Sequence, residues 1–246
     1  MTTTLLISDL HLTEDRPDIT AAFVDFLAHT APGCTQLFIL GDLFDAWLGD
    51  DDDRPLAAEI AQVLAELVQS GTQLFVMHGN RDFLLGADYC GRCGAELIEE
   101  PYSLATSFGP PVLLLHGDTL CTDDHDYIRL REMFRDPAWQ AEFLAKPLGA
   151  RREFAHEARA QSRAATKSKT EAIMDVNAGA VLRLLEQTGH QIMIHGHTHR
   201  PATHKLTLND GSAAERIVLG DWDKNLWFVE ISDAGIRLQD KPLSAS

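Results

Sequence analysis

The chain has 246 residues, 45% of them hydrophobic and 7% aromatic, which is enough for a sizeable buried core in one large domain. Its formal net charge of −16 excludes a broad nucleic-acid-binding surface, because phosphate backbones need clustered positive charge. No apolar stretch nears the roughly 20 residues that span a bilayer. The start MTTTLLISDLHL also lacks a basic region followed by a signal-like core, so a cytoplasmic protein is expected.

In chain order, TLLIS (4–8) reads as a buried strand, followed by apolar residues at helical spacing over 18–30. QLFIL (36–40), a helical pattern over 55–70 and QLFVM (73–77) repeat that alternation. VLLLH (112–116) is a fourth strand, and residues 121–170 then form a mostly helical, strand-poor stretch, read as an inserted cap. Asp175 to Gln187 is a helix stopped by Gly189, and QIMIH (191–195) is a fifth strand. ERIVLGDW and NLWFVEIS, with a turn at Asp233 to Gly235, read as consecutive antiparallel strands. The pattern predicts an α/β fold: a single domain over 1–246, two β-sheets layered between outer helices, with the helical cap at about 121–170.

QIMIHGHTHRP (191–201) places His195, His197 and His199 at alternate positions after an apolar run. By themselves they are either metal ligands or solvated residues at a strand end. The other strands decide between these. In open α/β sheets, ligand groups collect beyond the carboxyl ends of strands. Here those ends run into Ser8-Asp9-Leu10-His11, Gly41-Asp42, Gly79-Asn80-Arg81-Asp82, His116-Gly117-Asp118 and His195-Gly196-His197. Imidazoles with carboxylates and an amide oxygen suit borderline-to-hard divalent ions, and there are too many donors for one ion. Two ions could clamp both oxygens of a phosphoryl displacement.

The ordered series D-x-H, GD, GN, H and GHxH resembles that of the calcineurin-like metallophosphoesterases over most of the chain. The resemblance implies their sandwich of two mixed β-sheets flanked by helices. It also implies two divalent metal ions, one held by Asp9, His11, Asp42 and His197, the other by Asp42, Asn80, His116 and His195. His199 is assigned a supporting or structural part. Where that family's GN motif usually continues with a histidine that protonates the leaving oxygen, this chain has Arg81. Arginine offers fixed charge but no proton at neutral pH, which favours a phosphate leaving group over an alkoxide, unless Arg81 merely pairs with an acid such as Asp82.

ISDLHL, ILGDLFDAWLGDD, HGNRDFLLG, LLHGDTLCTDDHDY, AIMDVN and IHGHTHRPA together resemble the branch of that family acting on UDP-linked diacylated glucosamine. That resemblance implies attack of water at the α-phosphorus of UDP-2,3-diacylglucosamine, with manganese as the metal and no obligate protein partner. It implies a location on the anionic cytoplasmic face of the inner membrane. It places Asn80, Arg81, Asp124, Ser162, Thr166, Lys169 and His195 or His197 near substrate. Arg159, Ser162, Thr166 and Lys169 are spaced as one polar helical stripe. Residues 146–169 carry seven basic residues (Lys146, Arg151, Arg152, Arg159, Arg163, Lys167, Lys169) against Glu153 and Glu157, so this +5 segment is expected to face an anionic leaflet. Trp139, Phe143, Leu144 and Leu148 are spaced as an apolar helical face that either packs on the body or receives acyl chains. Asp50 to Asp53 reads as solvated loop or helix N-terminal charge, and Cys90-Gly-Arg-Cys93 as buried or free thiols. Another two-metal phosphoesterase and a non-catalytic metal-binding scaffold are the competing readings.

Overall fold

The computed structural model describes residues 3–106, 109–168 and 175–243, with the backbone alone over 161–168. Strands β1 (Thr4–Ile7), β2 (Gln36–Leu40) and β3 (Gln73–Met77) are parallel neighbours. Their continuous apolar runs reflect burial of both faces. Leu5, Ile7, Leu37 and Ile39 pack under helices α1 (Pro17–His29), α2 (Pro55–Gln69) and α3 (Ala87–Cys93), whereas Leu6, Phe38 and Leu40 face the second sheet. β4 (Ala95–Ile98) extends this sheet in parallel, and the hairpin β10 (Asn225–Ser232) and β11 (Gly235–Pro242) closes its other side, β10 running antiparallel to β1.

The second sheet has the order β5 (Tyr102–Leu104), β6 (Val112–Leu114), β7 (Ile192–His195), β9 (Ala213–Val218), β8 (Ala202–Thr207). Its inner residues Leu114, Ile194 and Ile217 complete the core between the sheets, and α7 (Ala178–Thr188) covers its outer face through Val181 and Leu185. Each such fully buried aliphatic side chain contributes about 1.5–3 kcal/mol. The Asn177 side chain accepts from the Ala180 N–H at the start of α7, and Gly189, at φ 70°, ends it. The result is the expected mixed α/β fold of two sheets flanked by helices.

ERIVLGDW and NLWFVEIS are not partners. β9 runs parallel to β7, while β10 joins the other sheet. The crossing is held by Trp222, whose backbone N–H donates to the Asp9 carbonyl at 3.1 Å and whose indole donates to the Trp227 carbonyl at 3.0 Å. The predicted turn at Asp233 instead joins β10 to β11.

Between β6 and β7 lie α4 (His125–Arg135), α5 (Pro137–Leu144) and α6 (Leu148–Ser168). Trp139, Phe143 and Leu144 belong to α5 and Leu148 to α6, so they are not one helical face. Trp139 and Phe143 stack at 4.9 Å and join Phe83, Phe134 and Phe154 in an aromatic cluster between cap and body. The acid run 50–53 is a loop, and Asp51 and Asp53 are exposed as expected, but all four carboxylates are engaged. Asp50 accepts from the Gly86 and Tyr89 N–H groups at 2.9 Å, holding the start of α3. Asp52 is buried against Arg54, while Asp51 and Asp53 receive Arg151 and Arg152 of α6.

Arg151 is 2% exposed and also donates to the Leu48 and Lys146 carbonyls. Replacing Asp51 with asparagine leaves this buried cation short of its counter-charge. The expected cost is about 1–3 kcal/mol, toward the lower end because the Asp51 side chain is 63% exposed. Proteolytic cleavage within α6 should accelerate about 5- to 150-fold in that variant. An unchanged rate would show that this ion pair does not hold the helix down.

Candidate metal centre

The carboxyl ends of β1, β2, β3, β6 and β7 deliver their motifs to one place. Beyond β1 and β2 the two loops continue side by side, the Asp9 N–H donating to the Gly41 carbonyl (3.1 Å) and the His11 N–H to the Asp42 carbonyl (3.0 Å). The non-glycine residues at positive φ among the described residues are Asp9, His11, Asp42, His197 and His199, between 51° and 67°. Holding non-glycine residues there is unfavourable, and such residues concentrate at functional sites. The glycines of the motifs make room: a Cβ on Gly79 would sit 2.0 Å from Asp42 Oδ1, and one on Gly196 would sit 2.2 Å from Asp9 Oδ2.

Asp42, 1% exposed, points Oδ2 toward His11 Nδ1 (3.8 Å) and Oδ1 toward His116 Nε2 (3.9 Å), one residue from each predicted ligand set. Asn80 Oδ1 lies 3.0 Å from His116 Nε2 and 2.9 Å from His197 Nδ1. Ligand atoms of Asp9, His11 and His199, and of Asp9, Asp42 and His116, gather within 4.8 Å of one another. His199, not expected among the ligands, turns its Nε2 to 3.3 Å from Asp9 Oδ1 while Asp221 receives its Nδ1 at 3.4 Å. His195 is buried beside them, but its Nδ1 donates to the Gly196 carbonyl (2.8 Å) and its Nε2 faces Arg216 (3.4 Å).

The cluster sets buried carboxylates against mostly neutral imidazoles. Burial pushes the Asp42 carboxyl up to about 7 against the pull of His116. Burial opposes charge on His116, yet the carboxylates of Asp42, Asp9, Asp118 and Glu100 hold it up at about 9. Burial pushes His11 and His197 down to about 3, leaving neutral imidazoles with a lone pair to donate; it also pushes His195 down to about 4, but the lone pair of that ring faces Arg216. Asp9 Oδ1 and His11 Nδ1 are buried without a hydrogen-bond partner. Orphaned donor atoms on a carboxylate and a neutral imidazole fit divalent cations, which would satisfy both.

Two supporting carboxylates escaped the sequence reading. Asp82, fully buried, accepts from the N–H groups of Gly79 (2.8 Å), Asp42 (3.2 Å) and Leu43 (2.8 Å), tying the GD and GN loops together. It does not pair with Arg81, whose nearest carboxylate is instead Asp42, with Nε 3.9 Å from Oδ2. Asp118 receives Tyr127 (2.5 Å) and Arg131 (2.7 Å) of α4, and Arg131 continues to Glu100 (2.6 Å), which accepts the His116 backbone N–H (3.0 Å). The only signal for either carboxylate was its place inside a strand-end motif.

The remaining predicted contacts divide. Arg81 donates its backbone N–H to Asp42 Oδ1 (2.8 Å), and its Nε is buried without a partner, 3.9 Å from Asp42 Oδ2. Arg159 pairs with Asp45, but its Nε and Nη1 are buried and unpartnered. Asp124 caps α4 by accepting the Tyr127 N–H (3.1 Å). Ser162 and Thr166 lie on α6 but their side chains, and all of Lys169, lie outside the described residues. Cys90 and Cys93 are buried thiols, pushed up by burial to about 12 and about 11, away from the cluster chemistry.

This fold and donor set are those of a metal-dependent phosphoesterase scaffold, and the chain belongs to the calcineurin-like phosphoesterase family, whose model matches residues 2–201. Within that family the chain is 52% identical over 237 residues to the UDP-2,3-diacylglucosamine hydrolase of Cellvibrio japonicus (strain Ueda107), covering 96% of this chain and 98% of that protein. It is 49% identical to the protein of the same name from Marinobacter nauticus (strain ATCC 700491 / DSM 11845 / VT8), covering 98% of this chain and 99% of that one.

Proposed function

We propose that the protein hydrolyses the pyrophosphate bond of UDP-2,3-diacylglucosamine, giving UMP and 2,3-diacylglucosamine 1-phosphate in lipid A biosynthesis. The observation that carries this reading is 52% identity over 96% of the chain to a hydrolase of that name. Asp9, His11, Asp42 and His199, with Asn80, His116 and His197, would hold two divalent ions, manganese being the choice. The expected ligand His195 is replaced, because both its ring nitrogens are engaged by the Gly196 carbonyl and Arg216. Bound there, the ions would act as Lewis acids toward the phosphoryl group and lower the pKa of water. The chain's own contribution is position and charge. Arg81 directs a fixed cation toward the diphosphate, and Asp82 sets the spacing of the loops that carry Asp42 and Asn80. Arg159, with two unmet donors, adds a second anion contact from the cap. In this reading residues 1–246 form one domain, and the helices over 121–170 are its substrate-binding cap.

Turnover with manganese in oxygen-18 water tests the site of attack. Attack at the α-phosphorus puts the label in UMP. Label in the sugar phosphate means attack at the other phosphorus and rejects the proposal as stated.

Among the described residues no helix is long and apolar enough to cross a membrane. We place the protein at the cytoplasmic face of the inner membrane through its cap. Of the +5 segment, Arg151 and Arg159 are drawn onto Asp51 and Asp45 and Arg152 pairs with Asp53 at the surface, while the side chains of Arg163, Lys167 and Lys169 lie outside the described residues. The support comes from apolar side chains instead: the exposed large hydrophobics Leu130, Met133, Leu144 and Phe154 all lie on α4–α6. Changing Leu130 and Met133 together to glutamine should weaken co-sedimentation with anionic vesicles by about tenfold or more, through lost apolar burial. Binding equal to that of the parent would remove this face from consideration.

A further inference from the structure

Beside the metal-ligand cluster, on the side of the second sheet, lies a cavity of about 240 Å³ lined by Asp175, Thr198, Arg200, His204 and Arg216. It opens at the carboxyl end of the sheet, because Arg216 and Val218 end β9 where it pairs with His195 of β7 and with the start of β8. Thr198 and Arg200 follow directly on the His195-Gly-His197 motif. The other large cavity, around Leu185, His190 and Asn209, is at the opposite ends of these strands.

The cavity is cationic in a strongly acidic protein. Arg200 engages Asp175 at 3.0 Å. Arg216 then keeps its charge, with no carboxylate within 4.0 Å among the described residues and a hydrogen bond to His195 as its polar contact. Burial pushes the Arg216 guanidinium down from its ordinary value, and its charge in turn adds to burial in pushing His204 down. Thr198 Oγ1 is buried with no partner. Two guanidiniums that share the single carboxylate of Asp175, beside an unmet hydroxyl, are suited to an anionic, hydrogen-bonding ligand.

We propose that this cavity receives the nucleoside monophosphate half of the substrate. The inference rests on the function proposed above, in which one molecule carries acyl chains and a nucleotide on either side of the cleaved bond. The two sides of the ligand cluster differ in the same sense. On the side of the first sheet stands the apolar cap, with Phe83, Phe134, Trp139 and Phe143 packed beneath it and Leu130, Met133, Leu144 and Phe154 exposed. On the other stand Arg216, His204 and Thr198. At about 240 Å³ the cavity falls below the ~300–1,000 Å³ that encloses a whole ligand, which fits a site for half of one.

The test uses the metal-loaded protein and measures binding of UMP, uridine, inorganic phosphate and 2,3-diacylglucosamine 1-phosphate by titration calorimetry. Two variants are compared with the parent: His204→Trp, which fills the cavity from β8, and Arg216→Gln, which removes the charge but keeps a donor for His195. Each should weaken UMP by about tenfold or more, the worth of one hydrogen bond to a charged group, while metal content and binding of the sugar phosphate stay unchanged. UMP binding that is absent in the parent, or unaltered in His204→Trp, overturns the proposal. So does inorganic phosphate binding as tightly as UMP, which would make the cavity a general anion site, or loss of metal from Arg216→Gln, which would make that arginine a support for His195. Parent turnover of UDP-2,3-diacylglucosamine is assayed separately. Its failure would refute the proposed function, whereas the UMP titrations would still judge the cavity.

Discussion

Asp42→Ala is expected to abolish hydrolysis and to lower metal content at both positions of the centre. Its two oxygens face His11 and His116, so a single side chain addresses both predicted ligand sets at 3.8 and 3.9 Å. Removing a carboxylate that only orients a ligand already costs about 10–100-fold, so losing one shared by two ions should cost more than that. Folding gives an independent readout. Without metal this carboxyl is a buried group pushed up to about 7 by desolvation, held at φ 54°. Its removal relieves that burial but also takes the acceptor from the Arg81 N–H and the counter-charge from His116, so the thermal stability of the metal-free protein should change little. What should disappear is the stabilisation that added metal confers, since a ligand that binds only the folded state raises its stability in proportion to affinity. Two tightly bound ions in Asp42→Ala, by elemental analysis, would reject the shared-ligand assignment.

Arg81→Ala should cost on the order of 2.7–4 kcal/mol of transition-state stabilisation, as for loss of one preorganised donor, or roughly 10²–10³ in rate. The guanidinium is positioned independently of its charge: the backbone on either side is tied down by Arg81 N–H to Asp42 Oδ1 (2.8 Å) and by Trp47 N–H to the Arg81 carbonyl (3.1 Å). Its buried Nε has no partner, leaving a donor available to a substrate anion. Metal content should stay at the parent level, which separates this variant from Asp42→Ala. Arg81→His should recover little of the pyrophosphatase activity, because a neutral imidazole lacks the fixed charge. It should raise hydrolysis of a simple alkyl phosphodiester, whose alkoxide leaving group needs a proton. Turnover of the UDP-lipid by Arg81→Ala at the parent rate would favour another type of two-metal phosphoesterase.

Much of the fold was legible because strands buried on both faces are written as unbroken apolar runs. QLFIL and QLFVM coincide with β2 and β3. β4 (AELI) and β8 (ATHKLT) were missed for the same reason: they lie at sheet edges, half exposed, and their sequences carry polar residues that give no such run. The helix α3 is only Ala87–Cys93 and begins at Gly86 without a side-chain cap of its own, its first N–H groups being met by Asp50 from a distant loop. A signal of that kind is spread over two segments and cannot be read in either.

The sequence by itself determined the strand-end series from Asp9 to His197, because each ligand group is adjacent in the chain to the apolar run that carries it. It also determined the helical character of most of 125–168, since helical spacing is a local property. Only the tertiary structure decided that ERIVLGDW and NLWFVEIS part into different sheets, that His199 turns toward Asp9, and that Asp50 to Asp53 hold α3 and α6. The charges of residues 146–169 were counted correctly from the sequence, but that Arg151 meets Asp51 across 100 residues was not legible there. Composition measures how much charge a segment carries. Whether that charge faces solvent or a counter-ion depends on packing between segments far apart in the chain, which stays undetermined until the two sheets have brought them together.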